Sequence, residues 1–162
     1  MRLSFDIKIH SDVSSTWSSL VAFKGNGGGG NNQEYGDRIP VIYFNKDTGE
    51  LGVRSAVSGN KNYPFNYAID IGTWYTIEIA QIETEEKVRL GVSSTHFKLM
   101  TWKVYFTVNI NGAEVLRTEN TDPRRFEAVK VFAGDDFYSA ADATYRNLNW
   151  TDGGGKFKLK FC

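Results

Sequence analysis

Gly25, Gly27 and Gly30 stand in the spacing G-x-G-x-x-G, the pattern that elsewhere cradles a dinucleotide pyrophosphate. That chemistry needs a strand running into a helix whose N-terminal amides hold the phosphates. After Gly30 the chain reads NNQEYGDRIP and then an apolar run of strand character, so no helix N-terminus is there to receive a phosphate, and the glycines read as a loop. Hydrolytic chemistry fares no better. His10 and His96 are the two histidines and no Ser sits in a G-x-S-x-G elbow, so a nucleophile, base and acid triad lacks its members. Cleavage between sugars needs two carboxylates facing across a cleft. Glu78 projects from the polar side of a strand pattern, whereas Glu83, Glu85 and Glu86 crowd toward a turn, where charges ordinarily keep a surface wet. The expectation from these residues is a chain that is not an enzyme.

Residues suited to recognition are more plentiful. Three segments read as loops: GNNQEYGDR with Asn32, Tyr35, Asp37 and Arg38, SGNKNYPFNY with Asn60, Asn62 and Tyr63, and GDDFYSAAD with Asp136 and Tyr138. Amides and carboxylates bond sugar hydroxyls while an aromatic plane stacks on the apolar face of a sugar ring, so the mixture suits a glycan. It equally suits a protein partner, for which Tyr and Arg are common anchors. The competing explanation is turn formation by Asn and Asp, with loop aromatics capping the core. Asp135, Asp136 and Asp142, with Asp37 as a further donor, offer the hard oxygens that calcium requires, though without EF-hand spacing. Asp37 and Arg38 could instead form a bidentate pair that pins their loop. Asn149-Trp150-Thr151 is an N-glycosylation acceptor if the chain travels the secretory route.

The elements that must position these residues are strands. In RLSFDIKIH, Leu3, Phe5, Ile7 and Ile9 alternate with polar residues, the period of a half-buried strand. SSLVAFK, PVIYFN, LGVRSAV, WYTIEIAQIE, HFKLMTWKVYFTVNI, AEVLRTE, FEAVKVFAG and TYRNLNW follow, and KFKLKF closes the chain. KDTGE reads as a tight turn, and Asn111-Gly112 as a two-residue hairpin turn that needs positive φ at both positions. With 11 Phe, 8 Tyr, 4 Trp and 3 Pro in 162 residues, composition favours sheets joined by turns. Lys plus Arg and Asp plus Glu balance at 19 each, so no basic stripe invites nucleic acid. No segment has the apolar length for membrane insertion. The start lacks a signal-peptide run, so Met1 opens either a cytosolic protein or a piece of a longer secreted one. Cys162, alone and terminal, reads as an exposed thiol or half of an intermolecular bridge. About ten strands in one domain over residues 1–152, followed by a Gly-rich spacer and a C-terminal strand or tail over 153–162, leave a sandwich or a barrel.

YGDRIPVIYF, LGVRSAVSGNKNYPF, WYTIEIAQ, VNINGAEV and FEAVKVFAGDDFYSAADATYRNLNW occur in an order that resembles the concanavalin A-like or laminin G-like jelly-roll modules of extracellular animal proteins, from about Phe5 to Trp150. The resemblance implies an all-β, two-sheet antiparallel jelly-roll sandwich. It also implies a secreted, lectin-like recognition role toward glycan or extracellular matrix protein, and it raises the expectation of calcium. The first strand of such modules has no counterpart before Arg2, and KFKLKF is the segment expected to fill that edge slot. A structural domain that self-associates without a small ligand is the alternative, and a jelly-roll polysaccharide hydrolase or lyase the third.

Overall fold

The computed structural model describes residues 1–11, 15–25, 34–90, 97–126, 129–134 and 138–151. These form ten strands: β1 Arg2–Ile9, β2 Trp17–Lys24, β3 Val41–Asn45, β4 Glu50–Val57, β5 Asn60–Ala68, β6 Trp74–Leu90, β7 Phe97–Ile110, β8 Ala113–Glu119, β9 Lys130–Phe132 and β10 Ala143–Thr151. They make two antiparallel sheets of five strands, a first sheet ordered β10-β1-β6-β7-β8 and a second ordered β5-β4-β3-β2-β9. The fold is an all-β jelly-roll sandwich. No helix among the described residues is long and apolar enough to cross a membrane.

The period-two strands place the core. Leu3, Phe5, Ile7 and Ile9 on β1 join Ile77, Ile79, Phe106 and Val108 from the first sheet and Leu20, Phe23, Ile42, Phe44, Leu51 and Val53 from the second in one buried cluster. Phe23 and Trp150 stack across the two layers with centroids 4.7 Å apart. The Tyr145 hydroxyl donates to the Leu20 carbonyl at 2.9 Å, a second tie between layers. Burial pushes the Tyr145 phenol well above its ordinary pKa.

β2 and β3 are buried along nearly their whole length. That is why LVAF and VIYF read as unbroken apolar runs: both faces are covered, and alternation is lost. On the outward face, Ala22, Val41 and Tyr43 form a second, smaller cluster against Trp17.

One sequence expectation is corrected. SGNKNYPFNY is not a loop: Ser58 and Gly59, with φ of 51° and 75°, make a two-residue hairpin turn into β5, whose Tyr63, Phe65 and Tyr67 pack on the core. Pro64 is tolerated because β5 is the edge strand of its sheet among the described residues, with no strand on one side of its backbone. β1 is flanked by β10 on one side and β6 on the other, so it is an inner strand of its sheet. KFKLKF itself, like Cys162, lies outside the described residues.

The hairpin at Asn111-Gly112 forms as expected, with φ of 51° and 80°. Asn111 is also tied to Thr76, donating to its carbonyl at 2.8 Å and accepting from its amide at 2.9 Å. Gly25 has a reason unrelated to phosphate. A Cβ there would stand 3.1 Å from the Phe126 Cβ and 3.2 Å from both the Gly36 carbonyl oxygen and the Ile39 Cδ1. The first glycine of the fingerprint is thus a packing requirement.

Candidate functional site

The outward face of the second sheet gathers aromatic, guanidinium and amide side chains around one cleft. Cross-strand register sets Trp17 opposite Asn45, Tyr43 opposite Gly52, and Gly52 opposite Asn66. One pair along, Val41 faces Arg54, which faces Pro64. Alternation on β3 and β4 turns Tyr43 and Arg54 away from the core that Ile42, Phe44, Leu51 and Val53 fill. Tyr138 arrives from the segment that precedes β10, where Ser19 donates to the Ser139 carbonyl at 2.8 Å and Ala141 donates to the Ser19 carbonyl at 2.9 Å. The result is a cleft of about 210 Å³ lined by Trp17, Arg38, Tyr43, Arg54, Asn62 and Tyr138.

Its walls are aromatic. Tyr43 and Tyr138 meet edge to face at 5.2 Å, Trp17 and Tyr43 at 6.4 Å, and Trp17 and Tyr138 are tilted at 6.5 Å. Two guanidinium groups lie over these rings, Arg38 at 5.8 Å from Tyr43 and Arg54 at 5.9 Å from Trp17. Arg38 also donates to the Asn62 side-chain oxygen. Gly52 lets the Trp17 ring pack close beside Arg54, because a Cβ there would stand 3.1 Å from the Trp17 ring and 3.5 Å from the Arg54 Nη1. Burial, and then the neighbouring charge of Arg38, pull the Arg54 guanidinium below its ordinary pKa.

Arg38, Asn62 and Tyr138, expected on three separate loops, come together here. Trp17, Tyr43 and Arg54 were missed. Their alternation is visible in the sequence, but nothing in it says which outward face carries a site.

The other expected residues go elsewhere. Tyr63 points inward, meeting Phe106 edge to face at 6.4 Å, and belongs to the core. Tyr35 donates to the Asp122 carbonyl at 3.0 Å, stacks on Phe126 and lies under the Arg124 guanidinium. Burial, then the Asp122 charge, push its phenol up. Asp37 is buried and accepts the Glu34 amide at 3.0 Å, which pins its loop, and Arg38 donates to the Asn62 side-chain oxygen. Asn60 accepts the Asn62 amide at 2.8 Å as a turn former. Asn149 is exposed on β10.

Asn32, Asp135 and Asp136 lie outside the described residues. Asp142 accepts the Ser11 hydroxyl at 3.0 Å. Among the described residues no group of three or more His, Cys, Asp or Glu could hold a metal ion. Glu78, the foremost carboxylate in the sequence, accepts from the Asn109 amide at 3.1 Å on the outward face of the first sheet.

No family model matches the chain, and no curated protein does. A solved structure that matches it is an alginate lyase mutant in complex with an alginate trisaccharide, at 16% sequence identity and a TM-score of 0.47, covering 91% of this chain and 68% of that one. This match corrects the expectation that the chain is not an enzyme: the protein it resembles in outline is a lyase, and the noncatalytic assignment is withdrawn.

Proposed function

We propose that the chain is a glycan-recognition domain whose ligand lies in the cleft on the outward face of the second sheet. The observation that carries this reading is the meeting of three aromatic rings with two guanidinium groups and the amide of Asn62 around one open cleft. Rings offer flat apolar surface to a sugar face, and the polar groups bond its hydroxyls. The binding surface is thus a strand face, reached in part by Tyr138, rather than the rim loops that composition suggests. An extracellular setting, a matrix-borne glycan and kinship with laminin G-like modules belong to the same proposal and rest on the order of sequence motifs.

A glycan array probed with and without calcium tests it, with chain cleavage of any bound polysaccharide followed in parallel. Saturable binding that falls tenfold or more in Trp17→Ala and Tyr138→Ala is the expected result, in line with stacking worth about 1 kcal/mol or more per ring. A blank array would sink the reading.

A second reading, docking between protein chains, has one observation in its favour. β1 accompanies β6 only as far as Ala80 and β8 accompanies β7 only to Tyr105, so the β6–β7 hairpin continues without strand neighbours among the described residues and carries Trp102, which is 64% exposed. Light scattering against concentration, with reducing agent present to silence Cys162, measures self-association. Its disappearance in Trp102→Ala would favour this reading over the first.

A further inference from the structure

The geometry points to an acidic saccharide as the ligand of this cleft, with Arg54 reading its carboxylate or sulfate group. The inference rests on the glycan reading and narrows it. Arg54 makes all its described hydrogen bonds through one nitrogen: Nη1 donates to the Val53 carbonyl at 2.9 Å, the Phe65 carbonyl at 3.2 Å and the Asn66 side-chain oxygen at 2.9 Å. Nε and Nη2, the side-on edge of the guanidinium, have no acceptor among the described residues. That edge presents two parallel N–H donors at the spacing of two oxygens of a carboxylate or sulfate, whereas a lone sugar hydroxyl engages one of them.

Charge points the same way. Each oxygen that Arg54 bonds is neutral, and none of the ion pairs among the described residues includes it. Glu50, whose charge reaches Arg54 only over a distance, accepts instead from the Thr48 hydroxyl at 2.9 Å and the Asn66 amide at 3.4 Å. Arg38 adds a second cation to the same cleft. A half-buried cation beside another cation is the arrangement that an incoming anion relieves, and its partial burial makes the gain larger than at an open surface. The Trp17 ring beside the guanidinium lets one residue of a chain stack while its acid group meets the fork.

Titration calorimetry on the full chain tests this with three probes: polygalacturonate, the same polymer after its carboxylates are reduced to alcohols, and a sulfated galactan, each at low and high salt. The expected result is that polygalacturonate or the sulfated galactan binds, that removing the acid group weakens binding tenfold or more, and that salt weakens it further. Which of the two polymers binds identifies the anion. Arg54→Gln should lose the preference for the acidic polymer, and Arg54→Lys should recover only part, since it restores the charge without the fork. Because Arg54 also ties β4 to β5, thermal melts accompany the variants, and the comparison of native and reduced polymer on the wild-type protein needs no variant at all. Equal affinity for the polymer before and after reduction overturns the acidic assignment and leaves glycan recognition standing. Binding to none of the three probes, nor to any neutral glycan on the array, overturns both.

Discussion

On the outward face of the first sheet, polar chemistry is consumed in holding the strands together. On the outward face of the second, one cation, Arg54, is held by uncharged groups. Asp6 on β1 accepts the Thr76 hydroxyl at 2.7 Å, the Arg146 Nε at 2.9 Å and the Asn147 amide at 2.8 Å, joining β6 and β10 where the β1–β10 register shifts between Ser4 and Asp6. Farther along, Lys103 pairs with Glu119 at 3.1 Å and Glu86 at 3.3 Å, while Tyr105 donates to Glu86 and lies beneath Arg117. In each of these groups opposite charges meet at ion-pair distance. Arg54, in contrast, is held by neutral oxygens and edged by aromatic rings. Titratable groups that satisfy one another maintain a fold; a cation positioned by uncharged neighbours keeps its charge for a ligand.

Substitutions can break this contrast. The largest effect is expected from Gly52→Val, which builds side-chain carbon into the space that Trp17 and Arg54 share. Glycan affinity, measured by calorimetry, should fall about a hundredfold or more, with overpacking costing about 1–3 kcal/mol in denaturant unfolding. Retained affinity would move the ligand away from this face. Next is Asp6→Ala on the other sheet, which strips three donors of their common acceptor. A loss of about 2 kcal/mol in unfolding free energy is expected, with glycan affinity unchanged. A change in affinity would show that the two faces are coupled.

The same residue sharpens the contrast through pH. Hydrogen bonds from Thr76 and Asn147, ahead of those and the charge of Arg146, hold the Asp6 carboxyl below its ordinary pKa of 3.8. The folded state therefore binds this proton less readily than the unfolded chain does. Its contribution to stability is complete above about pH 4 and is lost as pH falls through the lowered folded value. Asp6→Asn should flatten that limb of an acid titration followed by circular dichroism, and an unchanged limb would assign it to other carboxylates. The smallest effect is expected from Lys103→Ala, because its partners Glu86 and Glu119 are solvated pairs. Melting temperature and glycan affinity should both stay at wild-type values, and a marked drop in either would mean that this ladder does more than decorate the first sheet.

Much of the fold was readable because one physical signal repeats through it. Leu3, Phe5, Ile7 and Ile9 alternate without a fault, and that alternation is the consequence of one buried face. β5 was not readable in the same way. Its Asn and Pro content looks like loop chemistry, yet Tyr63, Phe65 and Tyr67 keep the strand period and Pro64 is harmless at a sheet edge. The site was half readable. Arg38, Asn62 and Tyr138 stood out as exposed recognition chemistry, whereas Trp17, Tyr43 and Arg54 were hidden inside strands, where an aromatic or arginine side chain is ordinarily a matter of packing.

Composition and period alone determined that this chain folds as antiparallel strands around an apolar interlayer and that Asn111-Gly112 turns a hairpin. Those features are local or follow from burying one face of each strand. Tertiary structure alone decided which outward face became a cleft. That choice depends on lateral neighbours, with Gly52 set beside Trp17 and Arg54 and Tyr138 delivered from a segment 86 positions later than Gly52. Strand order and register are long-range properties, and a period of two is the same for a face that forms a cleft and a face that ties up its own charges.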